Sequence, residues 1–310
     1  MAEYKTKLLI IGSGPAGYTA GIYAARSGLS PILVSGFEEG GQLTLSENVE
    51  NYPGFEQPIK GSILMEKMKT QATNLGTQII NDKIVEVDFN THPFECSSDK
   101  HNVYYAKSII IATGATAKWL DIQSEQPYKG FGISVCATCD GFFYRGKNVA
   151  VIGGGNSAAE EALYLTNFAS SVTLIHRRDY LRADHALQQK ILNNPQINIK
   201  LDCVVEEFLG RPPNILEGLR IKNVKSDKEE ILKLDGVFIA IGHKPNTEIF
   251  QNHLNLDKFG YIKTLPNSCA TSISGVFAAG DVQNPKFRQA VIAAGSGAMA
   301  AMEATRWLKG

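Results

Sequence analysis

A repeat constrains this chain more than any other feature. Residues 7–17 read KLLIIGSGPAG and residues 148–158 read NVAVIGGGNSA. Each is an apolar run rich in β-formers, then G-x-G-x-x-G or its G/A variant, then a helical pattern. That is the signature of a βαβ dinucleotide-binding unit. Its glycines make the tight turn and let backbone N–H groups reach a pyrophosphate at a helix N-terminus. The pattern predicts helices near Pro15–Ser27, stopped by Gly28, and near Ser157–Leu165. Each unit continues into a second apolar run, PILVSG at 31–36 and VTLIHRR at 172–178. The offset also repeats: Gly12 to Ser35 and Gly153 to His176 are both 23 residues. One such glycine turn is a weak signal, but two with the same flanks and offset are a strong one.

Two further segments echo each other, SIIIATGATAKW (108–119) and GVFIAIGHKPN (236–246). They bracket the second unit. The expected fold is therefore α/β, with two Rossmann-like, doubly wound dinucleotide-binding domains, the second inserted into the first. The boundaries expected are 1–116 with 244–310 for the first domain and 117–243 for the second. The tail returns with TSISGVFAAGDV (271–282) and a helix over 288–308 whose Ala and Gly suit close approach to a sheet or a ligand.

Length and charge agree. A chain of 310 residues holds about two domains on the usual prior. Lys+Arg and Asp+Glu are both 31, so no global charge steers the protein to nucleic acid or to a membrane. No run of 18 apolar residues is present to span a bilayer. The N-terminus reads as a first strand rather than a signal peptide. Five cysteines are an odd number without framework spacing, which points to reduced thiols and a cytoplasmic location.

The ends of the second strands distinguish the two nucleotides. NAD sites usually carry an acid there, and NADP sites carry basic residues for the 2′-phosphate. The second unit ends HRRDYLR, placing His176, Arg177, Arg178 and Arg182 where planar guanidinium forks suit phosphate oxygens. NADPH is expected in the second domain. The first unit ends VSGFEEGGQL, with Ser35 at the usual acid position and Glu38 three residues on. Asp281, in GVFAAGD, is the kind of residue that meets a flavin's ribityl chain. One NADPH site and one further dinucleotide site suggest a flavoprotein carrying FAD.

Residues 132–143 read GISVCATCDGFF, with Cys136 and Cys139 in a C-x-x-C followed by Asp140. Zinc would need a second pair of ligands. Cys96, Cys203 and Cys269 are isolated and read as small hydrophobes, so no metal is expected. Two inert thiols or a redox pair remain, and the redox pair is the favoured reading. A C-x-x-C closes a small ring, so disulfide and dithiol interconvert without refolding, and such motifs lower one thiol's pKa. Asp140 supplies a proton to a leaving thiolate if a dry site raises its pKa.

Over nearly its whole length the chain resembles the low-molecular-weight thioredoxin reductases of bacteria. The matching segments are GSGPAGYTA (12–20), GGQL (40–43), VENYPGF (49–55), CATCDGFFYR (136–145), GGGNSAAEEALYL (153–165), HRRD (176–179), AIGHKPNT (240–247) and GVFAAGDV with RQA (275–290). The CATCDG segment just before the second glycine motif is the most specific. Glutathione- and lipoamide-type reductases carry their pair near the first motif and have a long C-terminal dimer domain, and neither feature is found here.

The resemblance implies roles. Gly12, Ser13, Gly14, Pro15 and Ala16 would bind the FAD pyrophosphate. Ser35, Gly36, Phe37, Glu38, Glu39, Gly40, Gly41, Gln42 and Leu43 would wrap its ribose and ring. Asn51, Ala112, Gly114, Gly280, Asp281, Arg288, Gln289 and Ala290 would line the rest of the flavin. Gly153, Gly155, Asn156, Ser157, Glu160, Ile241 and Gly242 would hold NADPH, with His176, Arg177, Arg178 and Arg182 at its 2′-phosphate. Cys139 would face the flavin and Cys136 would attack the substrate disulfide. The partner implied is thioredoxin, and the assembly a homodimer. Phe131 stands where a basic residue is expected, which bears on the docking surface. His243 is either near the nicotinamide or a hinge residue. Two alternatives stay open: a related flavin-dependent dithiol oxidase or reductase with a different acceptor, and a flavin-bound sensor without turnover.

Overall fold

Leu8–Ile11 is apolar without alternation, the pattern of a strand buried on both faces. It forms the inner half of β1 (Glu3–Ile11), where no side chain is more than 4% exposed. The computed structural model describes residues 1–211 and 213–310. The chain divides into two units, Met1–Thr116 with Lys244–Gly310, and Ala117–His243. In the first unit β1 leads to α1 (Pro15–Arg26), β2 (Ile32–Val34), α2 (Gly61–Asn74), β3 (Gln78–Ile80), β4 (Ile84–Asp88), β5 (Phe94–Ser98) and β6 (Val103–Ile111). The sheet order is β3-β2-β1-β6-β5-β4. β1 is parallel to both neighbours, with Leu9 opposite Ile32 and Ile109. β4 and β5 are antiparallel additions at the far edge.

Helix α1 starts on Pro15, whose fixed φ suits a first turn and whose missing N–H costs nothing there. It stops at Ser27, and Gly28 follows in the left-handed region. Side chains of β1 alternate between two cores. Leu8 and Ile10 pack with Tyr18, Leu64, Met65 and Ala300, from the helices. Leu9 and Ile11 pack on the other face with Phe250, Leu254 and Ile262. Truncating one of these to Ala costs about 2–5 kcal/mol.

The second unit begins near β7 (Ala115–Ala117). It continues through β8 (Ile133–Ser134), α3 (Ala137–Asp140), β9 (Asn148–Ile152), α4 (Asn156–Leu165), β10 (Ser171–Ile175), α5 (His185–Leu192) and β11 (Ile197–Lys200). Then come β12 (Cys203–Arg211), β13 (Ile215–Asn223), β14 (Glu229–Lys233) and β15 (Gly236–Ile239). A parallel sheet runs β11-β10-β9-β15-β8, and β12-β13-β14 form a separate antiparallel sheet. The period-two rule applies here too. Val149 and Val151 of β9 face the alanines of α4, while Ala150 and Ile152 face Phe208, Leu219 and Ile221 of the antiparallel sheet.

The chain then returns through β16 (His243–Pro245) to β17 (Val276–Ala278) and α6 (Ala290–Trp307). β17 pairs with the second half of β6, Val276 opposite Ile109. The small residues of α6 pack against the sheet, where Ala300 and Ala304 join Leu8 and Ile110, and against α1 as well. A Cβ on Gly297 would lie 2.1 Å from the Ala16 carbonyl oxygen, so only glycine lets α6 lie on α1.

One buried carboxylate anchors this unit beside the segment that follows β2. Asp82 is 2% exposed, and burial alone would raise its pKa. Hydrogen bonds from Asn102, Ser98, Tyr104 and the Lys83 N–H outweigh that and hold it down at about 2. The Tyr104 hydroxyl donates at 2.7 Å and the Asn102 amide at 3.0 Å. The Asp82 carbonyl in turn accepts from the Gly36 N–H at 2.9 Å. Because the folded pKa is depressed, the ion contributes stability above pH ~4 and loses it as pH falls through about 2. Tyr104→Phe should cost about 1.5–3 kcal/mol at pH 7 and shrink the loss of stability between pH ~4 and ~2. Urea midpoints across that range test this, and an unchanged acid slope would assign it to other groups.

Candidate functional site

The residues expected to form the site fall into three sets, one in the first unit and two in the second. In the first unit the turn after β1 admits only glycine at Gly12. Its φ is 111°, and a Cβ there would lie 2.3 Å from the Ala112 carbonyl oxygen. Gly14 caps α1 with extended backbone, no side-chain cap and no acid in the first turn. A Cβ at Gly14 would meet nothing within 4 Å. The first N–H groups of α1 therefore have no side-chain cap, the arrangement that suits an anionic pyrophosphate.

Ser13 contributes more than its place in the motif suggested. Its hydroxyl donates to the Ser35 carbonyl at 2.7 Å and accepts from the Gly40 N–H at 3.0 Å. It ties the turn to the segment after β2. That segment approaches the turn again at Gly41, where a Cβ would sit 3.5 Å from Gly14 Cα. The acids of the segment are engaged: Glu39 pairs with Lys69 at 3.0 Å, and Glu38 accepts from the Gln42 amide at 3.0 Å. Phe37 is exposed and Ser35 is buried. Gly36 and Gly114 both have positive φ. Leu43 packs at the edge of the helical core. Further along, Asn51 donates to Gln289 at 3.2 Å, beside Arg288 and Ala290, the first residue of α6. Asp281 follows Gly280 directly after β17. Burial raises its carboxyl to about 6 despite the opposing charge of Arg288.

The second unit repeats the first turn. A Cβ on Gly153 would lie 2.4 Å from the Ala240 carbonyl oxygen, and one on Gly155 would meet nothing within 4 Å. Gly155 caps α4, again without a side-chain cap or first-turn acid. Asn156 exchanges hydrogen bonds with Asp184 and so fixes the loop before α5. Ser157 and Glu160 are exposed on the same helix. Arg182 is brought to the turn by its N–H, which donates to the Gly154 carbonyl at 2.6 Å. His176 is buried, its ring against Gly154. Burial, then Arg182, Arg178 and Arg177, lower its pKa, so it is neutral and the three exposed guanidiniums carry the charge. Ile241 and Gly242 lie at the end of β15, and His243 closes the unit half-buried.

Cys136 and Cys139 form a disulfide, 2.10 Å between sulfurs. Cys136 precedes the single turn α3, and its carbonyl accepts from the N–H groups of Cys139 (3.2 Å) and Asp140 (3.1 Å). Both cysteines are half-buried. Burial raises the Asp140 carboxyl above its ordinary range, and a hydrogen bond with Ser134 partly offsets this. Two residues of this turn were not singled out from sequence. The buried Ser134 hydroxyl accepts from the Cys136 N–H at 3.0 Å. The Thr138 hydroxyl lies 3.3 Å from Cys136 Sγ. A hydroxyl two residues before and another between the cysteines were the available signals. Phe131 and Phe142 are exposed, and Arg145 lies over the Phe142 ring at 5.1 Å. The remaining cysteines are buried, and burial pushes Cys96 and Cys269 up to about 12, which leaves them inert. Among the described residues no His, Cys, Asp and Glu cluster could hold a metal ion. No helix among them is long and apolar enough to cross a membrane.

Known proteins with this arrangement are numerous. The family model described as pyridine nucleotide-disulphide oxidoreductase matches residues 6–297. A thioredoxin reductase of Rickettsia bellii is 54% identical over 304 residues, covering 98% of each chain. One from Coxiella burnetii is 51% identical over 308 residues, covering 97% of this chain and 96% of its own. The solved structure of a thioredoxin reductase from Giardia duodenalis superposes with a TM-score of 0.94 at 39% identity, covering 99% of this chain and 100% of that one.

Asp281 gives this site a pH signature. A carboxyl whose folded pKa is raised stabilises the fold below its unfolded pKa and loses that contribution as pH rises through about 6. The ligand-free chain should therefore lose stability between pH ~4 and ~6, and Asp281→Asn should flatten that loss. Thermal midpoints of the stripped protein at a series of pH values measure it. An Asn variant with the parent's slope would place the ionisation elsewhere.

Proposed function

The chain belongs to the pyridine nucleotide-disulphide oxidoreductase family, and within it we propose a thioredoxin-disulfide reductase, passing electrons from NADPH through FAD and the Cys136–Cys139 disulfide to oxidised thioredoxin. One observation carries the reading: a closed, half-buried C-x-x-C ring followed directly by a carboxyl whose affinity for a proton is raised by burial. The full-length likeness to thioredoxin reductases supports the acceptor.

The residues present fit both dinucleotides. FAD would lie in the first unit, its pyrophosphate at the uncapped start of α1 and its polyol beside Asp281, whose carboxyl can hydrogen-bond a hydroxyl. NADPH would lie in the second unit at the start of α4, with Arg177, Arg178 and Arg182 on its 2′-phosphate. When bound, FAD supplies the link between a hydride donor and a two-electron disulfide couple that side chains alone cannot make.

Once the ring is reduced, the chain's own thiols act. Cys136, as thiolate, attacks one sulfur of the acceptor disulfide. A mixed disulfide forms and the other acceptor sulfur leaves as thiolate. Cys139 then attacks Cys136 Sγ, closing the ring and releasing the second acceptor sulfur. The acceptor gains two electrons and two protons, and the ring gives up two electrons and the protons of its two thiols. Asp140 supplies a proton to a departing thiolate. The reading carries with it a homodimer and a cytoplasmic location, which the family resemblance implies.

Replacing Cys136 or Cys139 with Ser should abolish disulfide reduction, while NADPH still bleaches the flavin of the purified yellow protein. NADPH oxidation with thioredoxin, with small disulfides and with oxygen alone measures this. Turnover retained in either variant would remove the pair from the relay, and turnover with oxygen alone would favour an oxidase.

Replacing Arg177 and Arg178 together with uncharged residues should lower the NADPH over NADH preference in kcat/KM by about tenfold or more, since charge-assisted contacts are worth about 1.5–3 kcal/mol each. An unchanged ratio would put the phosphate elsewhere.

A further inference from the structure

Cys136 Sγ is bonded to Cys139 Sγ and carries no proton, so in the 3.3 Å contact the Thr138 hydroxyl is the donor. The contact is built into the backbone. The N–H groups of Cys139 and Asp140 both bond the Cys136 carbonyl, which sets residue 138 beside residue 136 through backbone bonds that do not involve the sulfurs. From this geometry we propose that Thr138 is the group that acidifies the interchange thiol: its hydroxyl donates to the Cys136 sulfur and stabilises the thiolate formed when the ring opens. The proposal rests on the reading of Cys136 as the thiol that meets the acceptor.

The surroundings make a neutral donor significant. The ionisable groups around the turn are mostly acids or phenols. Asp140 lies within the turn, and Tyr144 follows in the 3-10 turn at Gly141–Tyr144. Glu160, Glu161 and Tyr164 lie on α4, the helix packed against α3. Two cations lie nearby, and each is over a ring: Arg145 over Phe142 and Lys147 over Tyr144. Burial and negative neighbours both oppose a thiolate. A hydrogen bond to the ionised sulfur acts the other way, because it is stronger to the charged form than to the neutral one. In the exchange step the Cys136 thiolate attacks the acceptor disulfide, one acceptor sulfur leaves with its electron pair, and charge moves off Cys136 as the new S–S bond forms. Thr138 thus raises the fraction of attacker present at neutral pH.

The test reads the thiol itself, without NADPH or acceptor, so its failure is separate from a failure of the proposed function. Purified full-length protein in a Cys139→Ser background is reduced, and Cys136 is alkylated with iodoacetamide from pH 5 to 10 and followed at the peptide by mass spectrometry. Thr138→Val keeps the β-branched shape at an exposed position and removes the hydroxyl. Its alkylation midpoint should rise by about one pH unit. The rate at pH 7 should fall only about threefold, because a less acidic thiolate is more nucleophilic. Thr138→Ser, which restores the hydroxyl, should match the parent. In a Cys136→Ser background, Cys139 should keep its midpoint when Thr138 is changed. Thr138→Ala, read the same way, stands in if the Val variant does not fold. A midpoint unmoved by loss of the hydroxyl, a Ser variant that behaves like Val, or an equal shift at Cys139 would each overturn the proposal.

Discussion

Both glycine turns depend on backbone packed against backbone. Parallel pairing places Ile11 opposite Ile111 in one sheet and Ile152 opposite Ile239 in the other. The next carbonyl along each neighbouring strand, Ala112 or Ala240, then arrives where a side chain on Gly12 or Gly153 would stand. A single methyl at either position would have to displace a strand. The turn consequently stays flush with the sheet, and the helix after it starts at the sheet edge with no side-chain cap on its N–H groups. Close approach recurs where α6 lies on α1 through Gly297 and Ala16.

Those parts were legible because they are local. A β-rich run, three spaced glycines and a helical pattern specify strand, turn and helix without reference to the rest of the chain. The strand-like segments on either side of the second unit made the insertion readable in the same way. The antiparallel additions were not legible. β14 reads Glu-Glu-Ile-Leu-Lys and is largely exposed, so it shows little of the alternation a half-buried strand displays. α6 was legible as a helix, but its packing on α1 was not, since alanine and glycine permit close approach without saying to what. Ser13 could be placed in a motif, yet its hydrogen bonds to Ser35 and Gly40 depend on a loop whose path only the fold determines.

Buried acids were the least legible of all, because sequence shows the acid and not its donors. Glu125 is fully buried, and its carboxylate accepts from the N–H groups of Leu120 at 3.0 Å and Asp121 at 3.2 Å, with Lys129 at 3.7 Å. It sits in a polar stretch that pattern alone would leave on the surface. Its role there is to close the loop before β8.

Asp82, Asp140 and Asp281 show how donors separate structure from chemistry. Burial is the largest influence on each and pushes each the same way. Four hydrogen-bond donors surround Asp82 and reverse the effect, so it stays ionised and holds the fold. Asp140 has the Ser134 hydroxyl, and Asp281 has the charge of Arg288, and neither is enough. Both keep a raised affinity for a proton, one directly after a disulfide and the other at the end of a sheet strand. A carboxyl satisfied by the protein has nothing left to offer a substrate. One buried with too few donors can release a proton or bond a hydroxyl, and the proposed function gives those tasks to the under-supplied pair.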